Sequence, residues 1–164
     1  MTDNKQKTRG MTMVKLLLFL LVMQACDPGR VYEEHKAVSA SGWRSKDVLC
    51  FQPRITDTSM VANVIIFVRH KGNYSYNNLY LFVTISSPSH RVVRDTIQLF
   101  LADASTGKWY GKSMLGDLYL LGRMYKKHVR FAEQGMYHFY IEQAMRMRNL
   151  PGITDVGLRI ERVQ

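Results

Sequence analysis

Ala62, Val64, Ile66 and Val68 take every second position of one short run, with Asn63 and Arg69 on the alternate positions. A period of two puts such a set on one face of an extended strand, whereas a helix scatters it around its axis. The pattern returns along the chain. Val93, Ile97, Leu99 and Leu101 oppose Arg94, Thr96 and Gln98; Tyr137, Phe139 and Ile141 alternate with His138, Tyr140 and Glu142; Val156, Leu158 and Ile160 alternate with Gly157, Arg159 and Glu161. Leu79 to Val83 is apolar on both faces, which predicts a central strand. Strands are expected near 31–37, 46–52, 61–70, 78–87, 91–101, 136–143 and 154–162. Turn residues fall between them, at Lys71-Gly72-Asn73, Ser87-Pro88-Ser89-His90, Ala104-Ser105-Thr106-Gly107 and Leu150-Pro151-Gly152. Short alternating strands with regular turn signals predict an all-β fold, a single antiparallel β-sandwich of jelly-roll or Ig-like type. The stretch from Gly111 to Phe131 is the least defined. It reads as a long loop with one or two short strands, and Leu118 to Tyr125 equally suits a brief helix.

Ahead of the strands stands a different signal. Lys5, Lys7, Arg9 and Lys15 precede the apolar run Leu16 to Met23, which ends in Gln24-Ala25-Cys26 and the polar Asp27-Pro28-Gly29-Arg30. A basic segment, an apolar core and a small residue before the cut form a secretory signal peptide. Eight helical residues cover only about 12 Å, far short of a ~30 Å bilayer core, so the run targets the chain and does not span. A cysteine at the cut is the lipoprotein arrangement, in which the thiol is alkylated with diacylglycerol and the new N-terminus is acylated. Ala25 fits that box, Gln24 is unusual, and Met23 stands where leucine is commonest. One acyl chain binds a membrane marginally, and two or three hold it durably. The expected division is 1–25 signal peptide, 26–30 lipidated Cys26 and a short tether, and 31–164 sandwich domain. Met13-Val14-Lys15 alone would make a compact basic segment, which points to a translation start at Met11 or Met13.

The mature 139 residues suffice for one domain with a real core. Of the formal charge of +10, the signal peptide accounts for three, leaving a basic domain of +7. An exported protein seldom meets nucleic acid, so none is expected as a partner; anionic headgroups, acidic glycans or plain solvation suit this surplus better. The chain has two cysteines, and once Cys26 is lipidated Cys50 has no partner. The Val48-Leu49-Cys50-Phe51 context predicts a small buried hydrophobe in a strand.

Catalytic signals are weak. His35, His70, His90, His128 and His138 lie singly, without metal-type spacing, so no metal and no cofactor is expected. No nucleophile elbow, P-loop or dinucleotide fingerprint is present. Asp117 and Glu142 are conceivable as a hydrolytic carboxylate pair, which would need them about 5–10 Å apart. Aromatic residues gather in Tyr74-Ser75-Tyr76, Tyr80-Leu81-Phe82 and Met136-Tyr137-His138-Phe139-Tyr140. Tyr74, Tyr76 and Tyr80, or Trp109 and Tyr110, would form a partner or sugar-stacking contact if coplanar and exposed, and core or cross-strand packing if turned inward.

Several stretches resemble a known family. They are Asp27 to Glu34, Ile55 to Ser59, Asn78 to Thr84, Arg94 to Ile97, Gly107-Lys108-Trp109-Tyr110-Gly111-Lys112, Ile141-Glu142-Gln143-Ala144-Met145-Arg146 and Leu150 to Glu161. Together, and in this order, they resemble the GldH-type gliding motility lipoproteins of the Bacteroidota over nearly the whole mature chain. The resemblance implies a non-enzymatic lipoprotein of the cell envelope, most simply of the outer membrane. It would be held by acyl chains on Cys26 and partnered by motility or secretion-associated proteins, with no catalysis and no cofactor. A glycan-binding surface lipoprotein is the alternative. Departures from the family pattern are His35, where an aromatic is expected, the weak lipobox, and the basic Met145-Arg146-Met147-Arg148. Asp95-Thr96-Ile97 resembles the acidic-hydroxyl-aliphatic tripeptide that carries O-linked glycans on exported proteins of that lineage, which makes Thr96 a candidate modification site.

Overall fold

Alternation becomes burial. In the computed structural model, which describes residues 29–114 and 116–163, the even residues from Ala62 to Val68 are all buried and the odd ones are not. The signal peptide and Cys26 lie outside the described residues. Thirteen strands are described in chain order: β1 (Arg30–Ala37), β2 (Trp43–Arg44), β3 (Leu49–Phe51), β4 (Arg54–Ile55), β5 (Ala62–Lys71), β6 (Asn78–Ser86), β7 (Val92–Phe100), β8 (Lys112–Met114), β9 (Leu118–Val129), β10 (Gly135–Met136), β11 (His138–Gln143), β12 (Asn149–Leu150) and β13 (Ile153–Arg162). Two antiparallel sheets carry the fold, in the orders β1-β13-β5-β9-β8 and β3-β11-β6-β7.

Among the eight principal strands the pairing is nested. The first pairs with the last (β1–β13) and the second with the second-last (β3–β11); β5 pairs with β9, and β6 with its hairpin partner β7. An antiparallel ribbon wound in this way, distributed over two four-stranded sheets, is a jelly roll. An Ig-like sandwich has other sheet orders. The inner faces supply the core: Val64, Ile66, Val68, Val156, Leu158 and Ile160 from one sheet, and Phe51, Leu79, Leu81, Val83, Phe139 and Ile141 from the other. Each such side chain contributes about 1.5–3 kcal/mol by leaving water.

The outer face of the β1-β13-β5-β9 sheet explains the odd residue at position 35. His35 pairs with Gly157, Gly157 with Phe67, and Phe67 with Gly122, one row across four strands. The His35 ring lies over Gly157, where an added Cβ would come within 2.5 Å of it, and the Phe67 ring covers Gly122 within 2.7 Å. Rings that shield glycines on neighbouring strands restore the packing that the missing side chains forfeit. His35 thus does the covering work of an aromatic, tilted against Phe67 at 5.5 Å. Its ring nitrogens also approach Glu33 and Asp155, both at 3.5 Å, and Arg69 binds the far oxygen of buried Asp155 at 3.0 Å.

Two expectations needed correction. Gly111 to Phe131 holds the short strand β8 and the twelve-residue β9, the longest strand described, and no helix. The strand expected near 46–52 is only β3, with Cys50 half-buried, not buried, and its thiol pKa raised by desolvation. Strand β6 is interior to its sheet, as the apolar run from Leu79 to Val83 predicts; on its outer face Tyr80 is exposed and the Arg94 guanidinium covers Phe82 at 4.5 Å.

The sandwich has two ends. At the end where β1 begins, the tether end if 26–30 is the tether expected from the sequence, the Gly29 carbonyl accepts from Arg162 N–H at 2.7 Å, and Ala62 stands between Arg162 and Val129. The turn 87–91 and the loop 130–134 close the same end. At the far end lie His70, Asn78, Phe100 and Gln143, a nine- or ten-residue strand away, about 30 Å.

Candidate functional site

At the far end β5 delivers His70 into a fully buried position among three aromatic rings. Trp109 lies 4.6 Å from it, Tyr119 stacks on it at 5.5 Å and 14°, and Tyr74 is 6.0 Å away. The Lys71 carbonyl is 3.0 Å from Nδ1, which assigns the ring proton to that nitrogen. Desolvation lowers the His70 pKa, and the neutral ring serves as packing. Tyr74 belongs to the same core: it is 4% exposed, its hydroxyl donates to the Asn78 carbonyl at 3.0 Å, and burial pushes its ionisation upward. Trp109 roofs this cluster at half-burial.

The predicted aromatic contact residues therefore separate. Tyr74 and Trp109 are taken up by packing. Tyr76 meets Tyr74 edge-on at 66°, and Tyr110 lies apart with the Arg123 guanidinium 5.2 Å over its ring. These rings make no coplanar exposed platform, and nothing here favours the glycan-binding alternative.

What the far end presents instead is a turn built on β11. Gln143, 2% exposed, points inward at the strand's end and clamps the residues that follow. Its Nε2 donates to the Met147 carbonyl at 2.8 Å, and its Oε1 accepts from Met145 N–H at 2.8 Å. Both halves of the amide are used, so a buried polar group carries little desolvation cost. The clamped turn lays Met145 and Met147 against the exposed rings of β6 and the preceding loop. Tyr76 donates its hydroxyl to Met147 Sδ at 3.0 Å, and Ala144 N–H binds the Tyr80 carbonyl at 2.8 Å. A hollow of about 470 Å³ is lined by Tyr76, Tyr80, Ala144, Met145 and Arg146. Tyr76, Tyr80 and Met147 stay 37–39% exposed, and Arg146 and Arg148 carry no ion pair among the described residues. Aromatic, methionine and arginine side chains together on one surface are the composition of protein–protein contact centres.

Other sequence candidates are dispersed. Thr96 is exposed on the outer face of β7, opposite Phe82. Its neighbour Asp95 turns inward, accepting from Tyr125 at 2.6 Å and Lys126 at 2.7 Å. Glu142 is paired with Arg94 at 3.4 Å on one sheet, whereas Asp117 belongs to the β8–β9 turn of the other, so they do not form a carboxylate pair. Among the described residues no three His, Cys, Asp or Glu side chains are grouped to hold a metal. The sequence reading missed the methionines of the turn. Their signal was the Met145-Arg146-Met147-Arg148 alternation immediately after a strong strand.

Comparison with known proteins adds the following. Residues 30–160 match the GldH lipoprotein family. The gliding motility lipoprotein GldH of Flavobacterium johnsoniae is 35% identical over 153 residues, covering 89% of this chain and 93% of that one. A GldH homolog of Christiangramia forsetii is 32% identical over 157 residues, covering 91% and 94%. Among solved structures, a GH115 4-O-methyl-alpha-glucuronidase aligns with 85% of this chain and 18% of its own length. At 12% identity and a TM-score of 0.41 it carries no argument about function.

Proposed function

This chain belongs to the GldH lipoprotein family, and on that premise we propose that it is a non-enzymatic, outer-membrane-anchored component of the gliding motility machinery that acts by holding a protein partner at its far end. The family membership, running from Arg30 to Ile160, is the observation that carries this reading. Cys26 is the proposed lipidation site, four residues before β1 begins. A tether that short keeps one end of the sandwich near the bilayer and turns the other, some 30 Å away, toward the envelope space.

The proposed contact is the clamped turn with Tyr76, Tyr80, Met145 and Met147. Exposed Tyr76, Tyr80 and Met147 over half-buried Met145 suit an apolar segment of a partner, and Arg146 and Arg148 suit acidic residues flanking that segment. Thr96 is a proposed glycan attachment point. Its exposure supports this, since a buried glycan would leave many hydroxyls without partners.

Two measurements test the reading. Fatty-acid labelling in the native host should mark the parent protein and be absent from Cys26→Ser, which should also leave the membrane fraction. A pull-down from detergent-solubilised envelopes should recover an envelope protein that Tyr76→Glu with Met147→Glu releases. Undiminished labelling of Cys26→Ser, or equal recovery by the double variant, would overturn the corresponding half.

A further inference from the structure

The seam between the two sheets is open where β7 faces the last part of β9. Both strands are short of partners there, because β8 pairs only with Leu118 to Leu120. A β-bulge distorts β9 at this point: Ala62 pairs with Val129 but Val64 with Lys126, and the Asn63 side chain takes the spare His128 N–H at 3.1 Å. The result is a groove of about 390 Å³, walled by Val64, Ile85, Val129, Phe131 and Phe139, with Val93 on its lip at 56% exposure. Its volume falls within the ~300–1,000 Å³ range of small-molecule sites.

The rim is cationic. Arg91, Lys126 and Arg130 line it. Lys126 is engaged by Asp95, and the rim carboxylate of Glu133 is occupied by Ser89, which donates both N–H and Oγ–H to it at 2.9 and 2.7 Å. Arg91 and Arg130 make no ion pair among the described residues. Arg91 acts on the Glu133 carboxylate only at longer range, so the apolar slot offers guanidinium groups held by no ion pair at its mouth, which matches an amphiphile with an anionic phosphate head.

Position selects the source. The groove lies at the tether end, with Val129 across one ladder pair from Ala62, and Ala62 beside Arg162, whose N–H binds Gly29. Cys26 precedes Gly29 by three residues, a reach of at most about 11 Å at ~3.6 Å each. We propose that this groove takes an acyl chain of an anionic phospholipid from the membrane that carries the protein, with Arg91 and Arg130 on its phosphate. The placement rests on the Cys26 anchoring reading; the chemistry of the groove does not.

Ala132→Trp and Val93→Trp each set a fluorescent reporter in the groove. Both replace side chains open to solvent, so one serves if the other fails to fold. The intrinsic Trp43 is buried and Trp109 is at the far end, so the parent protein provides the blank, and Lys108→Trp gives a far-end control. Each protein is mixed with vesicles of phosphatidylglycerol or phosphatidylcholine bearing brominated acyl chains. The expected result is loss of most of the reporter emission in brominated phosphatidylglycerol, little loss in phosphatidylcholine, and none for Lys108→Trp. Adding Arg91→Glu and Arg130→Glu should restore the emission. Reporters that stay as bright as in unbrominated vesicles would overturn the proposal and leave the groove to a partner's apolar segment or to the protein's own acyl chain. Equal quenching by the two lipids would overturn the phosphate contact. Flotation with the vesicles and the mass of Cys26 read the anchor separately: a floating protein with bright reporters keeps the anchor and loses the groove, and quenching without acyl mass does the reverse.

Discussion

Replacing Gln143 by alanine should loosen the far-end turn while leaving both sheets intact. The side chain makes two hydrogen bonds at 2.8 Å, to the Met147 carbonyl and from Met145 N–H. Each is worth about 1 kcal/mol net, and more where the abandoned partner stays away from water. Met147 is exposed and its carbonyl can turn to solvent, whereas Met145 is half-buried, so its N–H pays the larger penalty. The expected loss is therefore about 2–3 kcal/mol, read as a urea midpoint lowered by roughly 1–1.5 M. For a domain of this length the same loss lowers Tm by roughly 8–12 °C. Gln143→Glu is the informative companion. It keeps an acceptor for Met145 N–H but sets a carboxylate against the Met147 carbonyl in a buried position, so it should lose at least as much at neutral pH. Burial raises the pKa of the introduced carboxyl, so protonation on acidification gives back a donor and recovers part of that loss relative to parent. A loss below about 0.5 kcal/mol for Gln143→Ala would refute the clamp.

Gly157→Ala should cost about 1–3 kcal/mol through its clash with the His35 ring, and a His35→Ala background should absorb most of that cost in a double-mutant cycle of urea midpoints. The hydrogen bond from Lys126, and then that from Tyr125, holds the Asp95 carboxyl below its usual range. Its stabilisation is thus complete above the unfolded carboxylate pKa of ~3.9 and fades as pH falls through the lower folded value. Asp95→Asn should accordingly lose stability at pH 6 and show a shallower acid limb than parent in urea midpoints taken between pH 2 and 6; parallel limbs would contradict the pairing. For Thr96, the intact mass of protein from its native envelope should exceed the sequence mass by a glycan that Thr96→Ala lacks, and a mass falling only by the side-chain difference would end that proposal.

The strands with one buried face were legible because their alternation is uninterrupted, as in β5 and β11. Strand β9 was not. Gly122 falls in it because the Phe67 ring needs the space, its first three residues are half-buried in a row with Leu121 alone fully buried, and the bulge at its end shifts the phase of the pattern. The choice of jelly roll over Ig-like sandwich was also hidden, since it depends on which strands pair and not on where they lie. At the site, the Tyr74-Ser75-Tyr76 spacing suggests a shared face, but the segment is a loop outside the strands, which sends Tyr74 into the core and Tyr76 to the surface. The groove between β7 and β9 had no local signature at all. Its walls come from Val64, Ile85, Val93, Phe131 and Phe139, and only the tertiary fold brings them together.

Photo-crosslinking in living cells tests the central claim most directly, with a benzophenone amino acid placed singly at Tyr76, Tyr80 or Met147 at the far end and at Arg54 or Lys127 at the tether end. The account predicts adducts with an envelope protein at the three far-end positions and none at the tether end. Protein adducts confined to Arg54 and Lys127, with Tyr76, Tyr80 and Met147 silent, would contradict it.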